Sequence, residues 1–190
     1  LQIDQNHPIL NYNIAHCYEA LEVFPEAIRS YENALKTKPA WPEAIRDFSN
    51  LLLTCNKTKE AQNLVQRSLR LYPNDASMLC VLGQIFLTQY DFDSAEKTFK
   101  KANSITPENV EILSGLAEAL EKGEKIQEAL DAIENAIAIE PENLDLQKQL
   151  AGTLLSASDF EEAFRKIDTL YKENEDDLQI LDLYGQYYAC

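Results

Sequence analysis

Residues 76–109 read ASMLCVLGQIFLTQYDFDSAEKTFKKANSITPEN, and this stretch decides the fold. Met78, Val81, Leu82, Ile85 and Phe86 recur at the i, i+3, i+4, i+7 spacing that puts apolar side chains on one helix face. A polar turn follows at Tyr90 and Asp91, then a second stretch of helical spacing, then Pro107. Shifted by 34 residues, the chain falls on itself: Ala27, Ala61, Ala95, Ala129 and Ala163 come into register, as do Pro39, Pro73, Pro107 and Pro141. Coincidences of that kind at one spacing mark an internal repeat, so the chain is one continuous array of stacked units.

Full units are predicted at residues 8–41, 42–75, 76–109, 110–143 and 144–177. Residues 1–7 read as the tail of a preceding unit and 178–190 as the first helix of a sixth, so both ends are expected to be cuts in a longer array. Each unit is two antiparallel helices. Pro25 is tolerated in the first turn of its helix, where the missing amide has no intrahelical partner. Asp93 or Ser94 is expected to cap the second helix of the third unit. Pro39, Pro73, Pro107 and Pro141 each stop a second helix.

Composition narrows the function. The chain holds 17 Lys and Arg against 32 Asp and Glu, a net charge of −15. Nucleic acid and anionic membranes need a basic footprint, so neither is an expected partner. Cys17, Cys55, Cys80 and Cys190 form no CxxC spacing, which favours a reducing, cytoplasmic compartment and speaks against structural zinc. Cys17 and Cys55 read as small buried residues. No apolar run approaches the length of a membrane span. No Gly-rich phosphate loop, metal spacing or nucleophile motif occurs, so neither cofactor nor enzymatic activity is expected.

These residues resemble the tetratricopeptide repeat, whose pattern is W-x2-L-G-x2-Y…A-x3-F…P. Its Leu column holds Ile14, Phe48, Leu82, Leu116, Leu150 and Tyr184; its Gly column holds Ala15, Ser49, Gly83, Ala117, Ala151 and Gly185, all small. Its Tyr column holds Tyr18, Leu52, Phe86, Leu120, Leu154 and Tyr188. After the Ala column come Tyr31, Val65, Phe99, Ile133 and Ile167. Trp never fills its column, and the proline is absent at Gln5 and Glu175. The resemblance implies an all-α, right-handed superhelical α-solenoid whose first helices line a concave groove.

It also implies a protein–protein interaction scaffold that holds an extended or helical peptide in that groove. The groove residues would be Tyr12, His16, Arg46, Asn50, Leu53, Cys80, Gln84, Leu87, Ser114, Glu118, Lys148 and Leu155. Acidic neighbours outnumber the two cations there, so a neutral-to-basic peptide is expected. Leu53, Leu87 and Leu155 either anchor that peptide or cover the edge of the neighbouring repeat. Other uses of such an array are a substrate-recruiting arm of a larger enzyme, such as a glycosyltransferase, and a self-assembling structure.

The chaperone-tail clamp of the family is not reproduced: its five positions hold Arg46, Asn50, Val81, Glu111 and Gly115. The asparagine column of the glycosyltransferase arrays holds Asn13, Asp47, Val81, Gly115 and Gln149. His16 has no nucleophile or orienting partner apparent in the sequence, and reads as a surface histidine. Tyr184, Tyr187 and Tyr188 crowd the last helix and are expected to seek a second copy.

Overall fold

The computed structural model describes residues 7–189. The expected tail at 1–7, His7 apart, lies outside the described residues, as do Gln5 and Cys190. Among the described residues there are eleven helices and no strand. First helices are α1 (Pro8–Ala20), α3 (Pro42–Thr54), α5 (Ala76–Thr88), α7 (Val110–Lys122), α9 (Leu144–Ser156) and α11 (Leu178–Ala189). Second helices are α2 (Phe24–Thr37), α4 (Thr58–Leu71), α6 (Phe92–Ile105), α8 (Ile126–Ile139) and α10 (Phe160–Glu173). Each set starts 34 residues after the one before, as the sequence period requires.

The chain divides into two compact units, Leu1–Gln89 and Tyr90–Cys190. The division falls between α5 and α6, inside the repeat at 76–109. In the first unit each helix from α1 to α5 packs on the next, and α3 also touches α5. In the second each helix from α6 to α11 packs on the next, with added contacts of α7 on α9 and α9 on α11. This is the pattern of stacked helix pairs: no hairpin covers its own apolar face, and the neighbouring pair does so.

The small column fits that packing. Ala27, Ala61, Ala95, Ala129 and Ala163 have no exposed surface, and neither do Tyr31, Val65, Phe99, Ile133 and Ile167 one helical turn on. Short side chains let the two helices of a pair approach closely, and the larger residue four positions later fills the space beside the contact. In the first unit Tyr31 stacks on Phe48 at 5.4 Å. Cys17 and Cys55 depart from expectation: Cys17 is exposed and Cys55 half-buried. The first lies on a face of α1 that its neighbours leave bare, and the second is the C-cap where α3 ends.

Caps repeat with the same period. Asp75, Asn109 and Asn143 accept the amides of Met78, Ile112 and Leu146 at 3.0, 3.0 and 3.3 Å, and Asp177 accepts that of Ile180 at 3.3 Å. Trp41 holds the equivalent place before α3 and makes no side-chain cap. The cap of α6 is Asp91, which accepts the Ser94 amide at 3.2 Å, rather than Asp93 or Ser94. The chain is still in its turn at Asp91, so Asp93 already lies inside the helix.

The turns between paired helices hold a feature that the sequence hides. Glu22, Asn56, Tyr90, Glu124 and Ser158 all have φ between 57 and 61°. In four of these turns the next amide closes a six-residue loop: Val23 to Tyr18, Lys57 to Leu52, Lys125 to Leu120 and Asp159 to Leu154, at 2.8, 2.7, 2.8 and 3.0 Å. That loop needs a left-handed residue, usually glycine. Here only Asn56 is a side chain with the usual tolerance for that region, and Gly123 stands one position too early, with φ −86°.

Candidate interaction surface on the first helices

In the first unit, the exposed faces of α1 and α3 bring together aromatic and charged side chains. The Tyr12 hydroxyl donates to Asp47 Oδ2 at 2.5 Å, and Arg46 Nε donates to Asp47 Oδ1 at 2.9 Å. His16 Nε2 lies 3.3 Å from the same carboxylate. The Tyr31 hydroxyl donates to Glu19 at 2.9 Å and lies 3.4 Å from His16 Nδ1. The Trp41 ring packs 4.7 Å from that of Tyr12, with Lys38 Nζ 4.1 Å above it. Burial, then the hydrogen bond to Asp47, pushes the Tyr12 phenol up to about 12. Burial, then the bond to Glu19, also raises that of Tyr31.

His16 therefore has the orienting carboxylates that the sequence did not reveal. Both ring nitrogens face acidic or phenolic oxygens, and the phenols beside it are harder to ionise than a free tyrosine. Next to this cluster a shallow depression of about 280 Å³ is lined by Glu43, Arg46, Asp75 and Ser77.

In the second unit the corresponding faces are latched by polar bridges. Ser114 Oγ donates to Gln149 Oε1 at 2.7 Å, and Gln149 Nε2 returns a bond to the Ser114 carbonyl at 2.9 Å. Glu121 accepts from Thr153 and Ser156 at 3.1 and 2.8 Å. Lys148 reaches Asp145, Asp177 and Gln179 at 3.0, 3.2 and 2.6 Å. A depression of about 430 Å³ lies beside it, lined by Asp145, Lys148, Gln149, Gln179, Asp182 and Leu183. Glu118 is exposed and has no hydrogen-bond partner among the described residues, and desolvation holds its carboxyl above the usual range, with Lys122 acting the other way.

Several expected groove residues are not available as surface. Cys80 is buried, and Leu87 and Leu155 are each only 8 % exposed. Leu53 is half-buried and packs on the core of the first unit. Burial of Leu87 and Leu155 takes apolar area out of water, worth about 25 cal/mol per Å². Helical spacing gives the direction of a side chain but not how far its neighbours reach over it. Two of the chaperone-clamp positions, Val81 and Gly115, are buried as well. Asn50 and Glu118 remain exposed and Tyr12, Arg46, Gln84 and Ser114 half-exposed, while Asp47, at the asparagine-column position, and Trp41 join the surface.

On α11, Leu178, Leu181 and Tyr188 are exposed, whereas Tyr184 donates to Asp168 at 3.0 Å and packs on Tyr171. Among the described residues no group of His, Cys, Asp and Glu has the arrangement of a metal site, and no helix is long and apolar enough to cross a membrane.

Comparison with known proteins agrees with this architecture. A family model described as YpiA-like, C-terminal tetratricopeptide repeats matches residues 8–75, and one described as Tetratricopeptide repeat matches residues 46–110 and 114–178. No curated protein sequence matches. Among solved structures, a thermophilic repeat protein of Thermus thermophilus is 19% identical, with a TM-score of 0.78 over 96% of this chain and 97% of its own. One from Parabacteroides merdae is 18% identical, with a TM-score of 0.83 over 97% and 72%. YrrB, described as having an unusual peptide-binding site, is 17% identical, with a TM-score of 0.68 over 96% and 94%. At these identities the likeness is one of fold.

Proposed function

The chain belongs to the tetratricopeptide repeat family, and from that premise we propose that it is a non-catalytic scaffold holding a neutral-to-basic segment of another protein, extended or helical, against its first helices. Repeats of this family typically serve protein–protein interaction, and YrrB is a structural neighbour described as peptide-binding. The observation that carries the choice of charge is Glu118. Among the described residues it keeps a carboxylate on the first-helix face of the second unit with neither a hydrogen bond nor an ion pair, although Lys122 lies one turn away, while Lys148 on α9 is engaged by Asp145 and Asp177. A Lys or Arg from a partner would offset the desolvation that Glu118 carries. The non-catalytic reading is supported by the engagement of both His16 nitrogens. The cysteine pattern supports a cytoplasmic setting for this role.

Fluorescence anisotropy on the full chain tests this reading, with short labelled peptides rich in Lys and Arg against the same peptides carrying Glu. The basic set is expected to bind, and Glu118→Lys to weaken it by about tenfold. Equal binding of the acidic set, or no effect of Glu118→Lys, would remove it.

A second reading rests on α11, whose exposed Leu178, Leu181 and Tyr188 form an apolar face suited to a second copy. Sedimentation at rising concentration is expected to show a dimer that Leu181→Glu with Tyr188→Glu abolishes. A monomer throughout would exclude it.

A further inference from the structure

On the second-helix side of the first unit, α2 and α4 flank a groove of about 640 Å³. Buried Ile45 and Phe48 line it together with Leu35, Leu64 and Leu71, the last 65 % exposed. Lys36, Arg67 and Arg70 stand at its rim, all exposed, against the one carboxylate of Glu32. No ion pair or hydrogen bond engages these three side chains among the described residues, although the chain carries a net charge of −15. Lys100, Lys125, Lys148, Arg165 and Lys172 are paired with carboxylates, whereas Arg29, Lys59, Lys97 and Lys122, like the groove cations, form no ion pair among the described residues. Ser68 is among the lining residues, 3 % exposed, and its buried hydroxyl has no hydrogen-bond partner among the described residues. Ser30, Ser49 and Thr153 in similar helical settings all bond back to a carbonyl four residues earlier. A buried polar atom left unpaired is costly unless something arrives to pair it.

The same place three repeats on, in the second unit, is built differently. There Gln147, Lys166, Thr169, Leu170 and Glu173 stand where the first unit has Ile45, Leu64, Arg67, Ser68 and Leu71, around a smaller space of about 370 Å³. Lys166 spans it to Gln147 at 3.5 Å, and buried Leu170 occupies the position of Ser68. A groove thus recurs at this place in the repeat, but the apolar lining of Ile45, Leu64 and Leu71 and the cations Lys36, Arg67 and Arg70 are those of the first unit.

We propose that it is a second docking site, for a peptide segment that presents one large apolar side chain flanked by carboxylates. The apolar lining takes the side chain, and Lys36, Arg67 and Arg70 take the carboxylates. Charge complementarity selects this occupant, since a basic peptide would meet three uncompensated cations. The site shares no residue with the first-helix surface and asks for the opposite charge.

The test uses the full chain and three short labelled peptides: Glu residues flanking a single Phe, the same peptide with Lys for Glu, and the same with Ser for Phe. Anisotropy is expected to show binding of the first alone, weakened by added salt. Arg67→Glu with Arg70→Glu is expected to weaken it by about tenfold or more. Ser68→Leu, which copies the second unit, is expected to weaken it comparably while the melting temperature holds. Glu118→Lys should leave it unchanged, which separates this site from the first-helix reading. Binding of the Lys peptide as tight as that of the Glu peptide, an unchanged affinity in both groove variants, or no shift of the Leu64 and Leu71 methyl resonances on adding peptide would overturn the proposal.

Discussion

Tyr12 and Asp47 in the first unit occupy the same repeat positions as Ser114 and Gln149 in the second, three repeats later. Both pairs bridge consecutive first helices, one by a charge-assisted bond from a phenol and the other by two reciprocal neutral bonds. The next position along the face holds His16 in one unit and Glu118 in the other. His16 lies 3.3 Å from Asp47, whereas Glu118 has Lys122 and Glu121 as its charged neighbours and, among the described residues, no hydrogen bond. The repeat therefore sets where these first helices are tied together, and the residue types at those ties decide how much charge is left unpaired. In the first unit the acid is consumed internally. In the second it is kept.

The comparison breaks first, and by the largest margin, in the core column shared by Tyr31 and Ile133, both fully buried. Ile133→Ala is expected to cost about 2–5 kcal/mol and Tyr31→Ala about 3–5 kcal/mol, measured by urea unfolding. A loss under about 1 kcal/mol at either position would contradict the stacked-pair packing.

The bridges come next. Asp47→Asn removes a charged acceptor and is expected to cost about 1.5–3 kcal/mol, against about 0.5–1.5 kcal/mol for Gln149→Ala. The Tyr12 phenol, held at about 12, should fall only part way towards its ordinary value in Asp47→Asn, because burial is its larger cause. Ultraviolet titration reads this directly. A reversed order of the two losses would show that the charged bridge is not the stronger tie.

The left-handed turns test a feature common to both units. Asn56 already tolerates that region, so Asn56→Gly is expected to be near neutral. Glu124→Gly is expected to stabilise by about 1 kcal/mol, as would Glu22→Gly in the first unit. Thermal unfolding that drops for both glutamate variants would place the strain elsewhere.

Glu118→Gln sharpens the contrast by the smallest amount. The raised carboxyl of Glu118 lets the native state hold a proton to higher pH than the unfolded chain does. Stability is therefore lost as pH rises from the unfolded carboxylate value, about 4.3, through the raised native one. The glutamine variant should melt higher than the parent near neutral pH and no higher below the carboxylate range. Glu96 has the opposite sign: its bonds from Lys100 and Lys125 hold its carboxyl low, so its contribution is present at neutral pH and fades on acidification.

Much of the fold is legible in the residues. The Ala column and the prolines set the period, and the helices start and stop with it because those residues act through local sterics. What escapes the sequence depends on a neighbour. The Tyr12–Asp47 bridge joins side chains 35 residues apart, and only the stacking of α1 beside α3 makes them meet. Cys80, Leu87 and Leu155 are expected on the groove wall, yet they are buried. The left-handed residue at Glu124 is masked by Gly123 beside it. Trp41 carried a signal that could have been read: it is the only tryptophan, at a position where Asp75, Asn109, Asn143 and Asp177 all cap helices. A helix deprived of its cap is a local rule broken, and such places are where function is to be sought.

The central claim is that the first helices carry the surface for a neutral-to-basic partner. Amide chemical-shift mapping of the isotope-labelled full chain, titrated with a Lys- and Arg-rich peptide, tests it most directly. Saturable shifts are expected at Asn50, Gln84 and Glu118 and along their helices, with α4 and α8 unmoved. Shifts confined to the second helices, or none at all with the basic peptide, would contradict it.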